Sequence, residues 1–444
     1  MVERVESPGK RQLVEDAVYG RVTRRLMPIL FLSYVIAYLD RVNVGFAKLQ
    51  MLHDLGFSEA TYGLGAGIFF VGYCCAEVPS NMVLARVGAR KWLARIMVSW
   101  GIISACMLFV RSPNSFYIMR CLLGVAEAGM FPGVIYYLAC WYPAQRRGRM
   151  IALFMVAQPV TGVIGGPLSG WIMQSLQDSM HLAGWQWLFL LEGLPAVVMG
   201  VVFYLYIDDK IGNARWLCED EKQMLESSIL AELRHKREHV SFFSVLRDGR
   251  VWLLCAISFT SVMGLYGIGF WLPSIIRATG VERPLQIGLL TMIPYGAAIV
   301  TMYFASRSSD RSGERRWHLA ILTAIGGVGL ILSTFGAGNT ALSLVGLTIA
   351  TAGISTSQPL FWNLPTAFLG GSAAAAAIAF VNLGGNVAGF FSPYAVGWIS
   401  NATHSTTVGM YLLAFSLFLS AALVLYVPAS LVNSRKIETE PSHT

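Results

Sequence analysis

The feature that most constrains this chain is a series of long apolar runs, near 26–47, 62–84, 92–110, 115–139, 149–174, 186–207, 251–275, 286–305, 318–337, 341–364, 373–400 and 408–430. A helix crossing the roughly 30 Å hydrocarbon core of a bilayer needs about 20 such residues. In lipid every backbone N–H and C=O must be paired within the segment, so runs of this kind fold as helices. Composition agrees: 55% of residues are hydrophobic, 13% are charged and the mean hydropathy is +0.57, against about 25% charged residues in soluble domains. The expectation is an all-α membrane protein with twelve transmembrane helices, its first partner being the lipid bilayer.

Orientation follows from the basic residues. Of the Lys and Arg between the runs, Lys48, Arg111, Arg277 and Arg283 fall on one side of the membrane, Arg41 and Arg120 lie inside runs, and the rest share the side of the two chain ends. The positive-inside rule then places both termini in the cytoplasm of a multi-pass protein in the cell's inner or plasma membrane. The opening "MVERVESPGKRQLVEDAVYGRVTRR" is polar and basic and does not read as a cleaved signal peptide. The net charge of +8 is accounted for by this asymmetry and does not argue for nucleic-acid binding.

Several chemistries are excluded. The seven Cys residues are scattered, mostly within apolar runs, with no disulfide or zinc spacing. His235 and His239 are four apart, but "AELRHKREHV" reads as a solvated charged face rather than a metal site. "GLGAGIFFVG" lacks the strand-turn-helix surroundings of a dinucleotide motif and suits small-residue helix packing. No Walker sequence appears, so direct ATP drive is not expected. No catalytic set, metal site or cofactor is expected, and the chain does not read as an enzyme.

The chain repeats itself. "ARVGARK" from Ala85 and "DRSGERR" from Asp310 stand at corresponding places. At almost the same displacement, "IALFMVAQPVTGVIGGPLSGWI" from Ile151 and "IAFVNLGGNVAGFFSPYAVGWI" from Ile378 share their opening Ile-Ala and closing Gly-Trp-Ile. Two matches at one offset imply two six-helix halves, 26–207 and 251–430, flanked by a cytoplasmic N-terminal segment 1–25 and tail 431–444. They are joined by a polar cytoplasmic linker, 208–250. Paired repeats enclosing a site at the membrane midplane are the plan of a rocking transporter.

Charges inside the runs mark the function. "FLSYVIAYLDRVNVGFAKLQ" carries Asp40 and Arg41, and span four carries Arg120 and Glu127, two turns apart on one face. Ionisable residues at such depth face a protein interior or a water-filled cavity. An Arg offers a planar bidentate fork to a carboxylate, and burial disfavours the charged form of an acid. Arg41 and Arg120 are therefore candidate anion holders, and Asp40 and Glu127 candidate proton carriers. The competing reading is a set of static ion pairs joining helices one and four. The second half is nearly free of charge within its spans but holds "QPLFWNLP" and "FVNLGGNVAG". There Asn382 and Asn386 are one turn apart, and Gln158 lies on the mirrored fifth span. These are either substrate contacts or interhelical hydrogen-bond partners. Glu77 reads as a structural partner near a span end more than as a titrating group. Trp171, Trp185, Trp187 and Trp398 read as interface anchors, and the Gly and Pro of span five as sites of close packing and bending.

The D-R-x-G-x-R-R pattern after span eight, its weaker copy after span two and twelve spans with a central loop resemble the major facilitator superfamily. Within it, "YLDRVNVGFA", "EVPSNMVLARVGAR", "RCLLGVAEAGMFPG" and "WQWLFLLEGLPA" are similar to the anion:cation symporter family, which includes 4-hydroxyphenylacetate, phthalate, tartrate and sugar-acid permeases. The resemblance covers most of residues 20 to 430. It implies the major facilitator fold and a substrate site lined by Tyr38, Arg41, Tyr73, Gln158, Trp362, Asn363 and Asn382. It also implies gating charges at Asp310, Arg311 and Arg90, although Ala85 and Asn81 depart from the usual Asp and Gly of the first copy. The function expected is proton-coupled import of a small organic carboxylate, with aromatic side chains favouring an aromatic acid, by a monomer working through alternating access. The alternative is proton-coupled efflux of an organic anion or drug. A membrane sensor would need a soluble signalling domain, for which the linker and tail leave no room.

Overall fold

The structure, a computed structural model, describes residues 8–234, 247–336, 338–362, 364–365 and 373–432. Asn363 and the His235–His239 pair lie outside the described residues. The first half comprises α1 (Pro8–Val42), α2 (Val44–Leu55), α3 (Glu59–Val87), α4 (Ala89–Cys106), α5 (Pro113–Glu127), α6 (Met130–Trp141), α7 (Ala144–Met155), α8 (Ala157–Ser175) and α9 (Gly184–Tyr206). After α10 (Glu219–Arg234) in the linker come α11 (Gly249–Ala278), α12 (Pro284–Ser312), α13 (Arg316–Thr334), α14 (Thr340–Phe361), α15 (Ala373–Thr403) and α16 (Thr407–Tyr426). Among the described residues, 11 helical stretches are long and apolar enough to cross a membrane; α15, 31 residues long, occupies the remaining run, 373–400.

Local chemistry sets the helix ends. Ser58 accepts a hydrogen bond from Thr61 N at 3.1 Å at the start of α3, and Ser112 and Ser115 form a reciprocal cap ahead of Pro113 in α5. Such caps satisfy amide groups that the first turn leaves without partners. The fourth crossing breaks between α5 and α6 at Gly129, whose φ of +91° is one that residues with a β-carbon rarely adopt.

The end of the N-terminal segment is helical and packed. The first span's helix begins at Pro8, and Val18, Tyr19 and Val22 are buried. Tyr19 stacks on Tyr142 at 5.9 Å, Arg146 donates to Asp16 at 2.5 Å, and Arg21 pairs with Glu221 of α10. Trp216 in the linker stacks on Trp141 of α6 at 5.8 Å. A few apolar residues spaced along otherwise charged segments suffice to dock both onto the first half.

One side of the membrane carries the linker; the opposite side is called here the far side. On the far side the halves meet through glycines. A β-carbon on Gly288 of α12 would lie 2.1 Å from the Gly166 carbonyl oxygen of α8, and one on Gly63 of α3 would lie 2.5 Å from the Pro393 carbonyl oxygen of α15. Tyr62 donates to the Phe270 carbonyl at 3.0 Å, Arg277 donates to the Leu49 carbonyl, and the Leu285 amide donates to Gln174 at 3.3 Å. These contacts join the two halves on the far side.

Two of the expected interface anchors are exposed, Trp171 and Trp398. Trp185 is instead buried and donates to Asp54 at 3.0 Å, tying α9 to the end of α2, while Trp187 donates to the Ser179 carbonyl. A Trp near a span end is equally suited to close a helix–helix corner when a carboxylate stands in reach of its N–H.

Candidate functional site

Where the halves face each other at mid-depth lies a cavity of about 90 Å³. Tyr34, Tyr38, Arg41, Tyr73, Phe131 and Gln158 line it from the first half; Ser258, Tyr266, Gln358, Phe361, Trp362, Asn382 and Asn386 line it from the second. Six of the residues expected at the substrate site, Tyr38, Arg41, Tyr73, Gln158, Trp362 and Asn382, thus come together here.

Arg41 is the cation of this cavity. It sits in the last turn of α1, two residues before Asn43, through which α1 runs on into α2 with helical geometry. Its guanidinium pairs with Glu127 of α5 and donates to the Tyr266 hydroxyl of α11 at 3.1 Å, bridging the two halves. The faces of Phe69 and Tyr73 lie 5.3 and 5.5 Å from its central carbon, a setting that suits a flat, weakly hydrated cation. Its Nε and Glu127 Oε2 have no hydrogen-bond partner among the described residues, so the pair retains bonding capacity toward an anion or a proton.

Neutral groups surround this pair. Gln158 donates to the Tyr38 hydroxyl at 2.9 Å, and Gln358 donates to Ser261 Oγ at 3.0 Å. Glu77 accepts from Asn382 at 2.9 Å and from Asn386 at 3.2 Å. Glu77 therefore has polar partners from the opposite half, in keeping with a pairing role.

The other expected site residues lie elsewhere. Asp40 and Arg120 do not line the cavity; both are buried within the first half. Asp40 accepts from Ser104 of α4 and, at 3.4 Å, from Asn43. Arg120 Nε donates to the Gly65 carbonyl at 3.3 Å, and Phe69 lies 5.0 Å below its guanidinium. Residues of α1 and α5 are thus paired, but the partner that Glu127 takes is Arg41 rather than Arg120. Glu192 of α9 is a buried acid that the sequence reasoning passed over; its oxygen accepts from Ser169 at 2.7 Å. The signal was present in "WQWLFLLEGLPA", where one acid interrupts an apolar run. Among the expected gating residues, Asp310 and Arg311 are exposed at the linker-side end of α12. Arg90 is held within the first half by Asp209, on its amide at 2.7 Å, and by the Tyr204 carbonyl at 2.5 Å.

A second cavity, of about 640 Å³, opens at the far-side ends of α2, α11, α14 and α16 and is lined by Lys48, Glu59, Arg277 and His404 among others. It is larger, but it lacks the mid-depth position between the halves that alternating exposure of a site requires.

A model of the Major Facilitator Superfamily matches residues 30–393 and 284–442. The chain belongs to the major facilitator superfamily. Members are transporters, so this protein is a multi-pass membrane transporter and not an enzyme. It is 47% identical over 421 residues to a provisionally named metabolite transport protein, NicT, of Pseudomonas putida, spanning 94% of this chain and 96% of the other. It is 45% identical to a provisionally named tartrate transporter of Agrobacterium vitis, spanning 97% and 95% of the two chains. A quinolone resistance transporter of Acinetobacter baumannii is 40% identical, over 94% of this chain and 96% of that one. Among solved structures, a D-xylose-proton symporter superimposes with a TM-score of 0.72, 17% identity and coverage of 93% and 99%. That superposition speaks to the fold of the superfamily member and not to its cargo.

Proposed function

We propose that this transporter carries a small organic carboxylate, aromatic acids foremost, into the cytoplasm together with protons. The observation that carries the reading is Arg41: a guanidinium at mid-depth, in the cavity between the halves, paired with Glu127 and touching Tyr266 of the opposite half. A substrate carboxylate that engages Arg41 competes with Glu127 for the same cation, and the displaced acid is then neutralised by a proton. One arginine thus couples the two fluxes. Relatives named for tartrate support an anionic cargo, and the aromatic lining of Tyr34, Tyr38, Tyr73, Phe131, Tyr266 and Trp362 favours a ring. The loop asymmetry of Lys and Arg supports cytoplasmic termini and linker. We place the protein in the inner or plasma membrane as a monomer, with Asp310, Arg311 and Arg90 as candidate gating charges on the linker side.

A second reading is proton-coupled export of an organic anion or drug, which the relative named for quinolone resistance favours. The two share the Arg41 chemistry and differ in direction. A thermal-shift screen of purified protein against aromatic, hydroxy-dicarboxylic and sugar acids identifies the cargo, because a ligand at about 100 times its Kd adds about 2.7 kcal/mol of stability. Uptake into proteoliposomes under an imposed pH gradient then separates the readings: accumulation with the proton flow establishes symport, and movement against it establishes antiport.

A further inference from the structure

Beyond the cavity, the first half contains a second polar cluster, none of whose members lines that cavity. Asp40 of α1 is bonded to Asn43 at the α1–α2 junction and to Ser104 of α4, Ser169 of α8 is bonded to Glu192 of α9, and Asn43 and Ser169 line one small cleft, with Arg120 of α5 buried in the same half. Asp40, Asn43 and Glu192 are each 1% exposed and Arg120 is wholly buried. Four members carry atoms without a hydrogen-bond partner among the described residues: Asp40 Oδ2, Asn43 Oδ1, Glu192 Oε2 and both terminal nitrogens of Arg120. Buried polar atoms are almost always satisfied, so a cluster of exceptions among ionisable groups has the capacity to take up a proton.

The charges of the buried groups point the same way. The carboxylates buried around the cluster and cavity are Asp40, Glu127 and Glu192, and the guanidiniums are Arg41 and Arg120. Arg41 and Glu127 neutralise each other. Arg120 donates to the Gly65 carbonyl and Glu192 accepts from Ser169, so among the described residues Glu192 has no cation in contact with it. The groups that contact these two acids are neutral: Ser104 of α4 and Asn43 donate to Asp40, and Ser169 of α8 donates to Glu192. An uncompensated ion costs several kcal/mol in such surroundings, so one unit of positive charge belongs with this pair of acids. The guanidinium alongside disfavours a metal cation, and a proton meets the need without ligands.

We propose that Glu192 is a proton-binding site of the transport cycle, sharing one proton with Asp40 inside the first half and apart from the Arg41–Glu127 pair. The site deepens the proton-coupled reading and rests on it. It gives the cycle a proton store that the substrate never touches. Release follows when rocking of the halves shifts Asn43, at the α1–α2 junction two residues from Arg41, and changes the donors available to the two acids.

The test uses full-length protein in proteoliposomes with radiolabelled tartrate, and 4-hydroxyphenylacetate as a second probe. Glu192→Gln, which mimics the protonated acid, is expected to retain exchange across the membrane in counterflow and to lose accumulation driven by a pH gradient. Undiminished accumulation in this variant overturns the proposal. Should Glu192→Gln fail to fold, Ser169→Ala removes only the hydroxyl that favours the ionised Glu192; it is expected to move the pH of half-maximal accumulation upward, and an unchanged profile overturns the proposal. Accumulation in the unsubstituted protein driven by a sodium gradient at equal pH assigns the site to sodium and overturns it as well. Absence of any pH-driven accumulation of either probe by the unsubstituted protein defeats the proton-coupled reading itself, a result distinct from failure of Glu192 alone.

Discussion

The two halves share a helical plan but divide the chemistry unequally. Buried in the first half are Asp40, Arg41, Lys48, Arg120, Glu127 and Glu192; among the described residues of the second, the buried polar groups are neutral, with Gln358, Asn386 and a series of Ser and Thr. Yet both halves line the central cavity, and Arg41 reaches Tyr266 across it. The difference teaches that charge handling and shape recognition can be separated between repeats. Ion pairs in lipid are costly to rearrange, and confining the buried ones to one half lets the other rock against them without parting a buried charge pair. On this view the first half sets the coupling and affinity for charge, and the second sets which carboxylate fits.

The largest break in that comparison is expected at Arg41. Arg41→Ala removes the carboxylate's partner and leaves Glu127 buried without one, and truncating one member of such a pair costs about 2 to 5 kcal/mol. Binding measured by calorimetry should weaken by roughly 30-fold or more, each 1.4 kcal/mol being tenfold. Arg41→Lys should fall well short of rescue, because a point charge does not replace the bidentate fork. Unaltered affinity in Arg41→Ala removes Arg41 from the site and with it the division between the halves.

How much of this was readable beforehand depends on the kind of signal. The apolar runs gave the helices, and the paired motifs at Ala85 and Asp310 exposed the repeat, because span length and loop chemistry are local properties. Arg41 was legible as a charge where lipid tolerates none. Its partner was not: helical spacing put Arg120 and Glu127 on one face, but two turns separate them, while Arg41 arrives from another helix directly opposite Glu127. Pairing across helices depends on tertiary approach that periodicity does not encode. Glu192 was missed although it interrupts an apolar run as Asp40 does. Asp40 stands beside an arginine, which draws attention to a charge pair, whereas Glu192 stands alone in sequence and meets Ser169 only after folding. Docking of the N-terminal segment and of α10 was hidden for the same reason, since isolated apolar residues in charged stretches declare no partner.

Next in size come the acids of the first half. Asp40→Asn and Glu127→Gln mimic protonated forms and should lose proton-driven accumulation. Because Asp40 lies outside the cavity lining, Asp40→Asn should keep substrate exchange. Glu127→Gln frees Arg41 from its competitor and should bind substrate at least as well as the unsubstituted protein. Uptake under a pH gradient, set beside counterflow without one, reads both. Full accumulation in both variants refutes the assignment of protons to these acids, and loss of binding in both favours static ion pairs.

The smallest effects are expected in the second half, and their pattern carries the information. Gln358 donates to Ser261 and Asn386 donates to Glu77, each a neutral donor at the cavity wall. A typical hydrogen bond contributes about 1 kcal/mol net, so Gln358→Ala or Asn386→Ala should change affinity by roughly fivefold to tenfold. The change should depend on the carboxylate: hydroxylated acids, which need oriented donors and acceptors, should lose more than plain aromatic acids, which rest on the rings of Tyr38, Tyr73 and Trp362. The pH dependence of accumulation should stay as it is in the unsubstituted protein, because neither residue is an ionisable group. Asn386→Ala is the sharper of the two, since it leaves Glu77 with Asn382 as its remaining bonded amide. Competition assays across a panel of acids, repeated at several pH values, supply both readings at once. A shift of the pH profile without a change of substrate preference would place coupling in the second half and undo the division of labour, whereas altered preference at a constant profile sharpens it.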